Sequence, residues 1–215
     1  MIRKLWAEAL GTALLLAVVV GSANMAHDLA GGNAALALLC NIIATGLGLY
    51  FLITILAPIS GAHLNPAVSL YFAATGEIGA RDAALYVAVQ IPSAVAGVWL
   101  AHAMFGLDII QISTTPRSGG GLWLSEAVST FGLLMVIAGG LRSKAEAVPA
   151  LVGAYIAAGY WFTSSSSFAN PAVTIARGFT DTAAGIAPAH IAGYVIAQTI
   201  GAILAIVLLP KLFSR

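Results

Sequence analysis

The chain has 215 residues, of which 60% are hydrophobic and 8% are charged. A soluble domain carries roughly 25% charged residues, so this composition excludes a soluble globular protein and is typical of an integral membrane protein. The net charge of +1, with nine Lys and Arg dispersed along the sequence, also excludes a nucleic-acid-binding surface, because no basic stripe is present to neutralise phosphates.

Six apolar segments are long enough to cross a hydrocarbon layer roughly 30 Å thick. The first also resembles a secretory signal peptide, because basic residues precede it and small residues follow it. Its length and the presence of Glu8 favour a retained transmembrane helix instead. Cys40, in the second segment, is predicted to be a small buried hydrophobic residue. The predicted spans are residues 4–24, 33–56, 82–104, 121–141, 147–165 and 187–209.

Two further apolar segments are too short to span a membrane, and each begins at a proline. They run from Pro66 to about Thr75 and from Pro171 to about Thr180. Ten helical residues rise about 15 Å, which is half of a bilayer, and proline favours the first helical turn. We therefore predict two half-helices that start at the two Asn-Pro-Ala motifs: Asn65, Pro66 and Ala67, and Asn170, Pro171 and Ala172.

The distribution of basic residues predicts the orientation of the chain. If the N-terminus is cytoplasmic, only Arg117 and Arg177 of the nine Lys and Arg fall on the outer side. Cytoplasmic loops carry an excess of Lys and Arg, so both termini are predicted to be cytoplasmic. The residues on the predicted cytoplasmic side are Arg3, Lys4, Arg81, Arg142, Lys144, Lys211 and Arg215.

The second half of the sequence repeats the first. Glu8 in the first span corresponds to Glu126 in the fourth, and Gln90 in the third corresponds to Gln198 in the sixth. Each half contains three spans, an odd number, so the two halves must enter the membrane from opposite faces. This predicts one transmembrane domain over residues 1–215, with inverted repeats at about 1–105 and 119–215.

The paired half-helices indicate an aqueous path. Non-helical backbone at membrane depth is tolerated only where it is buried in protein or lines a wet cavity. The N-terminus of each half-helix carries roughly half an elementary positive charge, so two facing ends oppose the passage of cations. The side-chain amides of Asn65 and Asn170 can donate to a passing oxygen atom. Alternatively, both residues are only helix caps, but a cap by itself does not require an inverted counterpart.

The motifs AEALGT, SGAHLNPAV, SEAVSTFGL and the second NPA occur here in the order of the aquaporin, or major intrinsic protein, family. The chain resembles that family over essentially its whole length. The resemblance implies an all-α membrane fold with six transmembrane helices and two re-entrant half-helices, assembled as a homotetramer with one pore in each subunit. It also implies passive flow of small neutral solutes, without an enzymatic step, a cofactor or a metal.

The resemblance further implies that Glu8 and Glu126 brace the re-entrant loops by fixing their backbone. Acidic residues within a membrane are costly unless they are hydrogen-bonded. Gln90 and Gln198 are predicted to form interhelical hydrogen bonds rather than to line the pore. His63 either lines the pore as a neutral donor or acceptor, or tethers its own loop.

Val173 follows the second motif at the position where most aquaporins carry an arginine of the outer constriction. Counting back without gaps from Asn65 and Asn170 places the other constriction positions, and the predicted filter consists of Thr45, Ala158, Ser167 and Val173. It contains no aromatic residue, His or Arg, and should be wide and weakly polar. Arg177 lies on the same helical face as Val173 and either lines the outer vestibule or extends to the headgroups.

Glycerol facilitators usually carry Arg-Asp after the second motif, whereas this chain has Val173 and Thr174. The sequence is more similar to bacterial aquaporins linked with arsenic resistance, which have an uncharged residue there. That resemblance implies a channel of the bacterial inner membrane for water, glycerol and neutral metalloid hydroxides such as arsenite. A strict water channel, a membrane junction or scaffold, and an ion-coupled transporter remain alternatives. The spans lack the paired Asp, Lys or Arg that the transporter usually needs.

Overall fold

A computed structural model describes residues 1–213, so Arg215 lies outside the described residues. This part of the chain is all-helical apart from its loops, as predicted. Two short 3-10 segments, Ala145–Ala147 and Arg177–Phe179, accompany the α-helices. The helices are α1 (Ile2–Leu29), α2 (Ala34–Ser60), α3 (Pro66–Ala74), α4 (Ala80–Met104), α5 (Gly120–Ser143), α6 (Val148–Phe162), α7 (Pro171–Ala176) and α8 (Pro188–Leu212).

Five of the six predicted spans are helices long and apolar enough to cross a membrane, namely α1, α2, α4, α5 and α8. The sixth is shorter than predicted, because α6 has 15 residues. A helix of that length rises about 22 Å. It ends at Phe162, since Thr163 is extended (φ −110°, ψ 140°) and turns the chain towards the second re-entrant loop.

The two half-helices begin where the Asn-Pro-Ala motifs predict. Asn65 and Asn170 are extended N-caps, with φ of −160° and −156°. Their side chains accept hydrogen bonds from the backbone N–H groups of Ala67 and Ala172, which no intrahelical acceptor can reach. Helix α7 has only six residues and continues into the 3-10 segment that begins at Arg177.

The two halves of the chain pack in equivalent ways. In the first half α1 lies against α2 and α4, and in the second half α5 lies against α6 and α8. Helices α2 and α6 contact each other across the centre and join the halves. The half-helices α3 and α7 each contact both α4 and α8, and they also contact each other. These contacts hold the half-helices inside a ring of longer helices.

The outer surface of the protomer is strongly apolar, as lipid contact requires. On α2, for example, Ile43, Leu47 and Phe51 are all exposed. Cys40 is exposed on the same helix, so the prediction that it is buried is wrong. The cause is its position on the outer face of α2, which a continuous apolar run does not distinguish from the inner face.

Gly97 brings α4 close to α1, and a Cβ atom built on it would lie 2.1 Å from the carbonyl oxygen of Ala13. A backbone atom cannot move aside as a side chain can, so Gly97→Ala should lower the free energy of unfolding by about 1 to 3 kcal/mol. Thermal unfolding in detergent measures this effect. Gly79→Ala, where a Cβ would meet nothing within 4 Å, is the control and should melt with the parent. A Gly97→Ala protein with the parental melting temperature would contradict the close contact between α1 and α4.

Candidate functional site

A fully buried carboxylate lies behind each re-entrant loop. Glu8 accepts hydrogen bonds from the backbone N–H groups of His63 (2.9 Å) and Leu64 (2.7 Å) and from the hydroxyl of Ser60 (2.6 Å). Glu126 accepts from the backbone N–H groups at the equivalent positions of the second loop, Phe168 and Ala169, both at 2.9 Å. Each carboxylate thus binds donors that the loop backbone leaves without a helical partner.

Two glutamines connect these carboxylates to the half-helices. Gln90 donates through Nε2 to Glu8 (2.8 Å) and to Ser69 Oγ on α3 (3.2 Å). Gln198 donates through Nε2 to Glu126 (2.6 Å) and to Thr174 Oγ1 on α7 (2.8 Å). Both glutamines are fully buried, and their donors are used between helices.

The loops hold several non-glycine residues in the left-handed region of backbone conformation. Ala62 and Leu64 have φ of 48° and 49°, and the equivalent Ser167 and Ala169 have φ of 47° and 48°. Such residues cost roughly 1 to 3 kcal/mol each and persist only where the surroundings determine them. In each loop one of the strained residues donates to the carboxylate, Leu64 to Glu8 and Ala169 to Glu126.

The two motif asparagines are bonded across the centre of the molecule. Asn65 Nδ2 donates to the carbonyl oxygen of Ala169, and Asn170 Nδ2 donates to that of Leu64, each at 2.8 Å. An amide nitrogen carries two hydrogens. Each asparagine therefore fixes the opposite loop with one hydrogen and has a second hydrogen with no partner recorded among the described residues.

A cavity of about 720 Å³ passes both asparagines and is lined by residues of both halves. On the side of the first loop it is lined by His63, whose ring stacks on Phe72 at a centroid distance of 4.8 Å. His63 Nδ1 lies 3.0 Å from Ser69 Oγ, so this histidine is tethered and also faces the cavity. The two expectations for His63 are therefore compatible.

Three of the four predicted filter residues line this cavity: Thr45, Ser167 and Val173. All three are buried, with exposed fractions of 3%, 3% and 6%. Within residues 1–213, the Oγ atom of Ser167 has no hydrogen-bond partner. This oxygen is enclosed by protein and packs against Gly159 of α6, so it is not open to a solute in the cavity.

Ala158 does not belong to this group, which corrects its predicted place in the constriction. It is exposed on the outer surface of α6 and does not line the cavity. The next residue, Gly159, faces the loop instead, since a Cβ built on it would lie 2.6 Å from Ser167 Oγ. Tyr160 lines the cavity, and its hydroxyl oxygen lies 3.5 Å from Thr45 Oγ1. The expectation that no aromatic residue stands there is therefore wrong.

Tyr160 was not among the predicted filter residues, because a count along the chain does not show which face of a helix a residue occupies. The buried positions of α6 include Val152, Ile156 and Tyr160, spaced four residues apart. That spacing marks one face of a helix, and Ala158 lies two residues away from it, on another side. The periodicity of α6 was the available signal.

Arg177 lies in the same cavity rather than at the headgroups. It is 5% exposed, its Nε donates to the carbonyl oxygen of Ala184, and its guanidinium covers the ring of Phe168. Among residues 1–213, no group of three or more His, Cys, Asp and Glu is arranged to hold a metal ion. The polar side chains that line the cavity are amides, hydroxyls, an imidazole, the carboxylates of Glu77 and Glu146 and the guanidinium of Arg177.

Comparison with known proteins agrees with this architecture. The family model described as major intrinsic protein matches residues 1–167. The chain is 54% identical over 212 residues to the aquaglyceroporin AqpS of Rhizobium meliloti (strain 1021), and the match covers 99% of this chain and 91% of that relative. It is 33% identical over 181 residues to aquaporin NIP1-3 of Oryza sativa subsp. japonica, covering 80% and 62%.

Among solved structures, the X-ray structure of the aquaglyceroporin from Plasmodium falciparum superposes with a TM-score of 0.76. The match covers 98% of each chain at 20% sequence identity. At that identity the likeness establishes the fold: six crossings around two half-helices that meet end to end.

Proposed function

Since the chain belongs to the major intrinsic protein family, we propose that it is a passive channel for water, glycerol and neutral metalloid hydroxides such as arsenite. Membership of this family makes the chain a multi-pass membrane channel and not an enzyme. The proposal concerns the solutes that pass, the residues that select them and the assembly. We place the channel in a bacterial inner membrane, as a homotetramer with cytoplasmic termini.

The observation that carries the proposal is the position of Val173. This small apolar side chain follows the second Asn-Pro-Ala motif directly and lines the same cavity as Ser167 and Thr45. An arginine at this position would add a long side chain with five fixed donors to the path. Valine leaves that volume open, which favours solutes larger than water. The name of the relative AqpS, an aquaglyceroporin, supports the same solute class.

The polar groups of the cavity suit an uncharged solute with several hydroxyls. The hydroxyls of Thr45 and Tyr160 donate or accept, and the asparagine amides donate at the centre. Glycerol has three hydroxyls, and arsenite at neutral pH is largely the uncharged trihydroxide. Both solutes are uncharged, so neither incurs the desolvation cost that an ion meets on entering the cavity.

Stopped-flow light scattering on proteoliposomes tests the proposal, with separate gradients of water, glycerol and trihydroxyarsenic. We expect all three fluxes to exceed those of empty liposomes. Water flux alone would indicate a strict water channel, and solute flux that requires an ion gradient would indicate a coupled transporter. An intact protein with no flux at all would indicate a junction or scaffold.

Val173→Arg should reduce glycerol and trihydroxyarsenic flux by at least tenfold and water flux much less. The reason is that the guanidinium narrows the path and binds passing oxygens. A tenfold fall in flux corresponds to a barrier that is higher by about 1.4 kcal/mol. The measurement is the ratio of solute to water permeability in proteoliposomes. Thr45→Phe should change that ratio in the same direction by steric means.

Val173→Met is the matched control, because it adds length at the same position without charge or fixed donors. We expect it to lower the solute-to-water ratio less than Val173→Arg does. If the Val173→Arg protein is assembled and keeps the parental ratio, then Val173 does not line the constriction.

A further inference from the structure

The two re-entrant loops use equivalent positions for different groups. In each half, an aromatic ring stands two residues before the motif asparagine, His63 in the first loop and Phe168 in the second. In each half, the residue seven positions after that asparagine covers the ring. In the first half this residue is Phe72, at a centroid distance of 4.8 Å, and in the second half it is Arg177, with Cζ 3.5 Å from the centroid. The pairing is therefore the same, but only the second half carries a cation.

The guanidinium of Arg177 is held in one place and has no acidic partner. Phe168 lies under its plane, and the Ala184 carbonyl accepts from Nε. Phe168 is itself positioned by the hydrogen bond from its backbone N–H to Glu126. Within the described part of the chain, no carboxylate oxygen lies within 4.0 Å of the guanidinium nitrogens of Arg177. The guanidinium is charged at neutral pH.

A second arginine lies nearby but outside the cavity. The Arg117 guanidinium carbon lies 5.3 Å from the centroid of Phe168, and its side chain donates to the carbonyl oxygens of Gly185 and Ala183. It is half-buried and does not line the cavity, whereas Arg177 does. The two arginines thus share a ring and a stretch of carbonyls, and they differ in access to the path.

We propose that Arg177 is the charge-selecting residue of this channel, one helical turn outside the uncharged constriction at Val173. The inference rests on the proposed function, since it concerns what the same pore excludes. Cβ atoms four residues apart on a helix lie about 6 Å apart, so the positive charge of Arg177 acts on an ion that is about to enter the constriction. A neutral solute does not experience this repulsion.

The arrangement separates two tasks that a constriction arginine performs together. At Val173 an arginine would narrow the path and repel cations at the same point. At Arg177 the charge remains while the side chain is drawn aside onto Phe168 and the Ala184 carbonyl. The opening for glycerol-sized solutes and the barrier to cations are therefore set by different residues.

The test compares potassium permeability with water permeability in proteoliposomes of the parent, Arg177→Gln and Arg117→Gln. At an effective dielectric constant of 20, a unit charge about 10 Å from an ion changes the local concentration of that ion by about tenfold or more. We expect Arg177→Gln to raise the ratio of potassium to water permeability about tenfold. Arg117→Gln removes the same charge from the same ring without altering the path, and it should behave as the parent.

Three further variants keep the test decisive. Arg177→Met retains an apolar contact with Phe168 and should also leak potassium, while Arg177→Lys should remain tight. The double variant Val173→Arg/Arg177→Gln moves the arginine by one turn and should restore exclusion of potassium. Parental ratios in assembled Arg177→Gln and Arg177→Met, or an equal leak in Arg117→Gln, overturn the inference. Loss of the proposed function is a separate result, because it appears as absent water and glycerol flux in the parent.

Discussion

Glu126→Ala should lower the free energy of unfolding by at least about 3 kcal/mol, since three buried donors lose their acceptor and each orphaned donor costs roughly 1 to 3 kcal/mol. The donors are the backbone N–H groups of Phe168 and Ala169 and the Nε2 of Gln198. The loop also loses what holds Ala169 at its positive φ of 48°. The melting temperature and the fraction of assembled protein after detergent extraction measure the loss. We expect folding to suffer before selectivity.

Glu8→Ala should behave in the same way, because Glu8 accepts from four groups: the N–H groups of His63 and Leu64, the hydroxyl of Ser60 and Nε2 of Gln90. Glu146→Ala, at an exposed position, is the control for removal of a carboxylate and should melt with the parent. A Glu126→Ala protein that assembles fully and keeps the parental melting temperature would show that the carboxylate does not brace the loop.

Asn170→Asp should convert the centre of the channel from a barrier to cations into a site that attracts them. The substitution keeps the acceptor for the N–H groups of Ala172 and Val173 but removes the amide that donates to Leu64. Unit charges 4 Å apart attract by roughly 4 kcal/mol at an effective dielectric constant of 20, so potassium permeability should rise by at least about tenfold. Ion flux into proteoliposomes measures it, together with a fall in solute flux. Asn65→Asp should also raise potassium permeability and lower solute flux.

Asn41→Asp is the matched control for this substitution. Asn41 is also a buried asparagine within a helix, and its amide donates to Val19 O (2.9 Å) and Ser22 Oγ (2.8 Å), but it does not line the cavity. Its aspartate variant should lose stability without admitting potassium. If Asn170→Asp and Asn65→Asp conduct solutes as the parent does and admit no cations, the two asparagines are structural and do not select what passes.

The half-helices could be predicted from sequence because their signals are local. Asn-Pro starts a helix by capping it and by starting the first turn, and about ten apolar residues limit its length to half a bilayer. The order of Glu8, Gln90, Glu126 and Gln198 also indicated which elements repeat. Neither inference required knowledge of what packs against what.

Contacts between segments that are distant along the chain could not be predicted from the sequence. Thr45 on α2 meets Tyr160 on α6, which is 115 residues away along the chain. A count from a motif along α6 reached Ala158, because it followed sequence distance, whereas the cavity selects one face of the helix. Likewise, the four-residue spacing from Val173 marked Arg177 as a vestibule candidate but left the headgroups as an alternative, and only the fold places Arg177 in the cavity and Arg117 outside it.

By itself, therefore, the sequence determined the membrane class, the inverted pair of half-helices and the absence of arginine after the second motif. Those properties follow from composition, from helix-start chemistry and from residue identity at a marked position. The tertiary structure alone decided which side of α6 faces the cavity, that Tyr160 stands beside Thr45, and that Arg177 is turned onto Phe168. The physical reason is that these properties depend on how helices are rotated against one another, which is settled by packing between distant segments.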